Sequence, residues 1–515
     1  MKTKILLIFL YAILITSCQN MLELSPLDRV ATGNFWKTET DFDNALAACY
    51  GNLQRANFSF GIYWDIIGGN GYSQYNENSC TQIQQGNITD VTGGLVSSIY
   101  NDGFASIARC NIFLEKLKEF DGMDTNIKLQ REAEARMIRA YFYSFLYRCY
   151  GDVPIVDKPV NVDDMFQAKK PASEVLEFIM ADLDYAIQNL QDVTYSQNKG
   201  RWTANAARGY KARMLLYNAY DASGNAIVSK MQEAQTLLNQ ITGYSLADEY
   251  LDNFQKRSQE ACPEIIMSVK FSAPNNRTNY DHLIMDWMLV SPLSSLISLY
   301  DMADGTPGEP VPTVAGSRGV VDQTLFNNES LDLREPRASK IFFIDSYRHP
   351  MGGVHTPISL RPLGTGFLKF MSPDIAPPFT ASGAYNTDWG WIILRYADVL
   401  LMQAEVENEL SNAPSEAVYK AINDIRKRGG TSPLPEGLTK EQMRERIRHE
   451  RRIELAFEGS HYFDLKRWKI AKEVLNAVED GLVVYRFEDK HYLWPLPQNE
   501  IVRSNGILLQ NPDYE

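Results

Sequence analysis

Apolar residues recur every three to four positions over eight stretches of this chain, the period of helices with one buried face. The stretches are 40–54, 96–120, 131–150, 173–190, 203–220, 230–241, 396–410 and 415–428. In the third, Ala135, Ile138, Phe142, Phe145, Leu146 and Cys149 fall on one side. The fourth aligns Val175, Leu176, Ile179, Leu183, Ala186 and Leu190, and the fifth Ala207, Tyr210, Met214 and Tyr217. Ala397, Leu400, Leu401 and Ala404 repeat at i, i+3, i+4 and i+7, as do Val418, Ala421, Ile422 and Ile425 in the last stretch. Ser415 after Pro414 marks a helix start, and Gly429-Gly430 a stop. Tyr396 to Gly429 spans 34 residues, the period of a tetratricopeptide helix pair.

Four candidate pairs follow: 40–54 with 96–120, 131–150 with 173–190, 203–220 with 230–241, and 396–410 with 415–428. One pair cannot bury its own apolar face, so pairs stack and share a core. The expected fold is mostly α, a modified tetratricopeptide-like scaffold of about four pairs. A further helical run ends in RRIELAFEG, with Glu450, Arg451, Glu454 and Glu458 on the face of Ile447. Ile453, Leu455, Ala456 and Phe457 occupy the rest of that turn, so the charges should be buried and must be paired. Arg446–Glu450 and Arg451–Glu454 have helix-neighbour spacing, and Arg467 is placed to join them.

Two regions break the period. Residues 57–94 include GIYWDIIGGNGYSQYNENSC, whose turn chemistry argues against helix. A loop so long and so rich in rings points to function. Residues 244–390 hold 13 of the 23 prolines, too many for long helices. Glu264–Phe271 reads there as a short strand and Phe367–Phe370 as another. The expected organisation is a leader at 1–17, a tether and strap at 18–38, a helical region at 39–243, a loop-rich insertion at 244–390, and a C-terminal helical region and tail at 391–515. Together they would form one compact unit.

The formal net charge of −13 argues against nonspecific nucleic-acid binding, which needs lysine and arginine to neutralise phosphates. Lys2, Lys4 and the apolar run Ile5–Ile15 read as a signal peptide, and Ile15-Thr16-Ser17-Cys18 matches a lipobox, which would make Cys18 the lipidated N-terminus. One acyl chain anchors only marginally, so a stable tether needs more than one. Five cysteines remain, Cys49, Cys80, Cys110, Cys149 and Cys262, an odd number that leaves a disulfide at Cys80 open. No metal-spaced histidines and no nucleophile-elbow, phosphate-loop or dinucleotide motif occurs, so no cofactor or metal is expected.

The runs RYADVLLMQAEVENE, AINDIRKRGG and HERRIELAFEGSHYFDLKRW resemble the C-terminal signature of the SusD/RagB family, outer-membrane nutrient-binding lipoproteins of Bacteroidetes-type bacteria. Tyr100, Phe104 and Asn111 match its aromatic-x₃-aromatic…Asn arrangement, although Tyr100 stands where relatives often carry Trp. Tyr150-Gly151-Asp152-Val153-Pro154 also matches, as do LELSPLDRVATGNFW and the closing Asn511-Pro512-Asp513-Tyr514. The resemblance implies a cell-surface, lipid-anchored protein that binds an oligosaccharide or related nutrient and passes it to a SusC-like TonB-dependent transporter without catalysis. It also implies an insertion packed over the scaffold that contributes to the ligand site. Trp64, Tyr72, Tyr75, Tyr100, Asn101 and Trp287 are the candidate ligand contacts, since they lie where the family binds ligand. A surface glycan hydrolase, a binder of peptide or another nutrient, and an adhesive subunit are the alternatives.

Overall fold

The computed structural model describes residues 35–161, 166–255, 259–344, 347–352, 354–355, 362–374 and 388–514. The leader, Cys18 and most of the strap lie outside the described residues. The scaffold is built from α1 (Glu39–Asn52), α2 (Leu95–Glu119), α3 (Thr125–Tyr150), α4 (Ala172–Asn189), α5 (Ala204–Tyr217) and α6 (Val228–Leu238). After the insertion come α7 (Tyr396–Leu410), α8 (Glu416–Gly429), α9 (Lys440–Glu454) and α10 (His461–Arg467). Local chemistry sets the ends. Thr38 and Asp41 form a reciprocal capping box at α1, as Thr439 and Gln442 do at α9. Ser415 caps α8 and Gly430 ends it at φ +79°.

Each helix packs on the next from α2 to α6, α6 then packs directly on α7, and α7 packs in turn on α8 and α9. The array therefore runs on across the insertion. Ala397, Leu400, Leu401, Ala404, Val418, Ala421, Ile422, Ile425 and Ile447 form one apolar cluster between α7, α8 and α9, as their periodicity requires. One expectation proves too narrow: α3 is buried nearly all round from Ala133 to Tyr150, not along one face. Arg139 on α3 makes a two-point contact with Asp182 of α4 (2.8 and 2.9 Å) and donates to Asn111 of α2. Asn111 in turn donates to the Val156 carbonyl, so this asparagine ties three segments together.

Residues 57–71 depart most from expectation. They fold into two short helices, Ala56–Ser59 and Ile62–Ile67, with Phe58, Phe60, Ile62, Tyr63, Ile66 and Ile67 buried; a third, Cys80–Gln84, follows. The glycines here permit close packing, not an exposed turn. A Cβ on Gly61 would lie 2.6 Å from the Trp391 ring. Cys80 is a buried free thiol, as are Cys49, Cys110 and Cys149; Cys262, half-buried, is also free.

The strands are β1 (Gly71–Tyr72), β2 (Ile265–Val269), β3 (Ser291–Pro292), β4 (Phe342–Ile344), β5 (Tyr347–Arg348), β6 (Val354–His355), β7 (Thr365–Phe367) and β8 (Trp391–Arg395). Among the described residues they form four antiparallel pairs, β1–β3, β2–β8, β4–β7 and β5–β6. β2 and β8 join the beginning of the insertion to its end, with Ile265 opposite Arg395 and Val269 opposite Trp391.

Glu450, Arg451 and Glu454 of α9 are buried as expected, but their partners are distant in sequence. Glu454 accepts from Arg337 (2.8 Å), Arg395 (2.6 Å) and Arg428. Glu450 meets Arg337 and Arg426, and Arg451 meets Asp398 and Asp464. Arg467 does join, through Glu405 and Asp464. Burial alone would raise the Glu454 carboxyl, yet Arg428, Arg395 and Arg337 outweigh it and hold the group below the usual carboxylate range. Arg337 belongs to the insertion, so the network fastens insertion to scaffold.

Candidate functional site

The β1–β3 pair sets Gly71 opposite Pro292 and Tyr72 opposite Ser291. It thereby brings the turn after β1 beside the segment that precedes β3. That segment contains a single π-helical turn, His282–Asp286, closed by the Trp287 N–H donating to the His282 carbonyl at 2.9 Å. Gln74 spans the two segments and donates to the Trp287 carbonyl at 3.4 Å. The rings of Tyr75 and Trp287 meet edge to face, centroids 6.3 Å apart and planes 63° from parallel. They stay open to solvent, 56% and 48% exposed. The buried His282 ring backs Trp287 at 5.6 Å. Two rings set at an angle present apolar faces to which the C–H faces of a pyranose can bind.

The turn under Tyr75 is strained. Asn76, Asn78 and Ser79 have φ of +49°, +52° and +60°, the left-handed region that side chains disfavour. The Asn76 carboxamide accepts from the Thr81 N–H at 2.9 Å and helps hold the turn. Gly94, φ +60°, lies so close that a Cβ there would be 2.2 Å from the Asn78 carbonyl carbon. Gly94→Ala should therefore displace this turn and lower stability by roughly 1–3 kcal/mol, read from the urea midpoint.

Asp281 anchors the other side. It is fully buried and accepts from the Ser372 N–H at 2.5 Å and the Ser372 hydroxyl at 2.8 Å, while the Trp389 indole donates to that same hydroxyl. Burial pushes its carboxyl up to about 6, against hydrogen bonds from Ser372 that lower it. Between the ordinary value of 3.8 and about 6 the native state binds this proton more readily than the unfolded chain, so the group adds stability as pH falls. Glu405 works oppositely: Arg467 overcomes its burial and holds it down to about 2, so its contribution is lost only below its ordinary 4.5. The urea-midpoint difference between wild type and Asp281→Asn should thus shift in favour of wild type from pH 7 to 4.5. A constant difference would assign Asp281 no titration in that window.

Of the nominated residues, the fold joins Tyr75 and Trp287 and leaves Tyr72 half-buried beside them on β1. Trp64 requires correction. It is 2% exposed, stacked on Trp494 (5.5 Å, 15°) and against Phe463, so it is a core residue closed to ligand. Tyr100 and Asn101 line a different cavity on α2. His282 and Gln74 escaped notice because neither stands in any motif.

Two family models match this chain. One, described as the SusD family, covers residues 361–514, and the other, described as starch-binding associating with outer membrane, covers 23–216. The chain belongs to the SusD/RagB family. SusD-like protein P38 of Formosa agariphila is 27% identical over 97% of this chain and 96% of its own length. A crystal structure of a SusD-like protein from Bacteroides fragilis superposes with a TM-score of 0.77 at 26% identity, covering 95% of this chain and all of the other. A SusD-like protein described as laminarin binding superposes at 0.68 and 21% identity, covering 93% and 100%, and shares the fold. The helical scaffold is thus the SusD scaffold, here with Tyr100 at the start of α2. No helix among the described residues is long and apolar enough to cross a membrane.

Proposed function

We propose that this SusD-like protein captures a glycan on the Tyr75–Trp287 platform and delivers it unaltered to a SusC-like TonB-dependent transporter. The observation that carries the reading is the exposed, preorganised ring pair, braced by β1–β3 and by the buried Asp281. Solvent-exposed rings fixed on both sides lose little freedom on binding, so modest contact area suffices. A micromolar constant needs only about −8 kcal/mol, within reach of two ring contacts and several hydrogen bonds. The laminarin-binding neighbour and the starch-binding family description favour a saccharide over a peptide. Cys18 would carry the acyl chains that hold the protein at the outer membrane, facing outward, and the helical array would offer the transporter a broad protein surface.

Protein beginning at Gln19 should bind at least one oligosaccharide on a glycan array and by calorimetry, and chromatography should recover the ligand intact. Shortened products would replace binding with hydrolysis as the activity. A complete lack of saccharide binding would reject the platform as a glycan site.

A further inference from the structure

A small cavity of about 60 Å³ lies where α3, α5, β8, α9 and α10 converge, with Arg148, Arg213, Arg451 and Arg467 in its wall. Gly459 and Ser460 form a half-buried part of its rim. It shares no lining residue with the Tyr75–Trp287 platform.

The charges around this cavity do not balance. Asp398 is shared by Arg213 and Arg451, Asp464 by Arg451 and Arg467, and Glu405 accepts from Arg467 at 2.7 Å. Those three carboxylates answer three guanidinium groups. Arg395, also in the wall, is met by Glu264, Glu454 and Glu458, so it adds no surplus. Arg148 is left over. It is 7% exposed, and its Nε donates to the Ser144 carbonyl at 3.0 Å. Its guanidinium carbon lies over the rings of Phe145 (4.4 Å) and Phe463 (4.0 Å), which attract a cation but give its N–H edge no acceptor. Among the described residues no carboxylate pairs with it. Lys466 adds a second buried cation, donating to the Arg148 carbonyl at 2.7 Å and likewise meeting no carboxylate among the described residues. Burial, helped by Arg148, holds its ammonium down to about 8. The buried Nε of Arg213 also has no acceptor among the described residues.

We propose that this cavity binds a small monovalent inorganic anion of the size of chloride, held by Arg148 and Arg213. A buried charge is costly unless it is paired, and water can solvate Arg148 without neutralising it. The volume exceeds what one water needs, which leaves room for a single-atom ion with water beside it. Asp398, Glu458 and Asp464 share the wall and would repel a dianion, whereas one negative charge matches the surplus on Arg148. The ion ties α3 and α5 to β8, α9 and α10, and so links helices that precede the insertion to elements that follow it. The site does not depend on the glycan-binding function proposed above.

The urea midpoint of the purified protein would be followed from roughly 10 mM to 1 M sodium chloride, with sodium gluconate holding the ionic strength constant. The midpoint should rise by several tenths of a molar in urea, as a ligand of the native state alone requires, and sodium bromide should act alike. Arg148→Met keeps a long side chain against Phe145 and Phe463 but removes the charge, so its midpoint should no longer respond to chloride. A wild-type crystal grown in sodium bromide should show an anomalous bromide peak within hydrogen-bonding reach of the Arg148 guanidinium. That measurement needs no variant, so it decides the question even if Arg148→Met fails to fold. A midpoint indifferent to chloride, an equal rise in Arg148→Met, or bromide bound only at the surface overturns the anion site.

Discussion

Replacing Glu454 with alanine should cost the protein roughly 3–5 kcal/mol, the range for breaking a buried ion pair from one side. The carboxylate lies between the guanidinium groups of the buried Arg337 and Arg395 and that of Arg428, whose side chain is only 4% exposed. Its loss leaves three cations facing one another with no water to screen them. Glu264, Glu458, Glu335 and Glu450 still meet these arginines, which sets an upper bound on the damage. Glu454→Gln should be milder, since the amide oxygen can still accept one of the hydrogen bonds. The measurement is the urea midpoint followed by far-ultraviolet circular dichroism. A loss for Glu454→Ala no larger than for exposed Glu445→Ala would show that the network does not hold the fold.

Trp287→Ala should weaken binding of any platform glycan tenfold or more, about 1.4 kcal/mol or above, while leaving the urea midpoint nearly unchanged. The indole is half in solvent, so its removal opens no core cavity. It also deprives Tyr75 of the ring it meets at 6.3 Å, and Tyr75→Ala should show a smaller loss of the same kind. Wild-type affinity in both variants, measured by calorimetry on the ligand that the array identifies, would move the glycan site elsewhere.

The helix pairs were legible because their apolar residues keep a 3.6-residue period, and the cluster between α7, α8 and α9 contains the residues that period selects. Burial of the α9 charges could be read from their apolar surround. Their partners could not: Arg337 and Arg395 stand far from Glu454 in sequence, and no local pattern reports such a pairing. Trp64 misled for a related reason. Glycine and asparagine beside rings look alike whether a segment turns at the surface or threads between packed side chains, and here it threads. Tyr75 and Trp287 were nominated separately by family resemblance. Their meeting depends on two-residue strands too short to show alternation.

The insertion leaves and re-enters the scaffold through neighbouring antiparallel strands, β2 and β8. Such a geometry invites exchange of the whole segment between relatives, a recombination route by which one lineage could acquire another's ligand preference. The traffic is not free, because Glu264, Glu335 and Arg337 travel with the segment while Arg428, Glu450 and Glu454 stay behind. A chimera lacking matched residues at both sets of positions would fold poorly however well its new loops suited the new sugar.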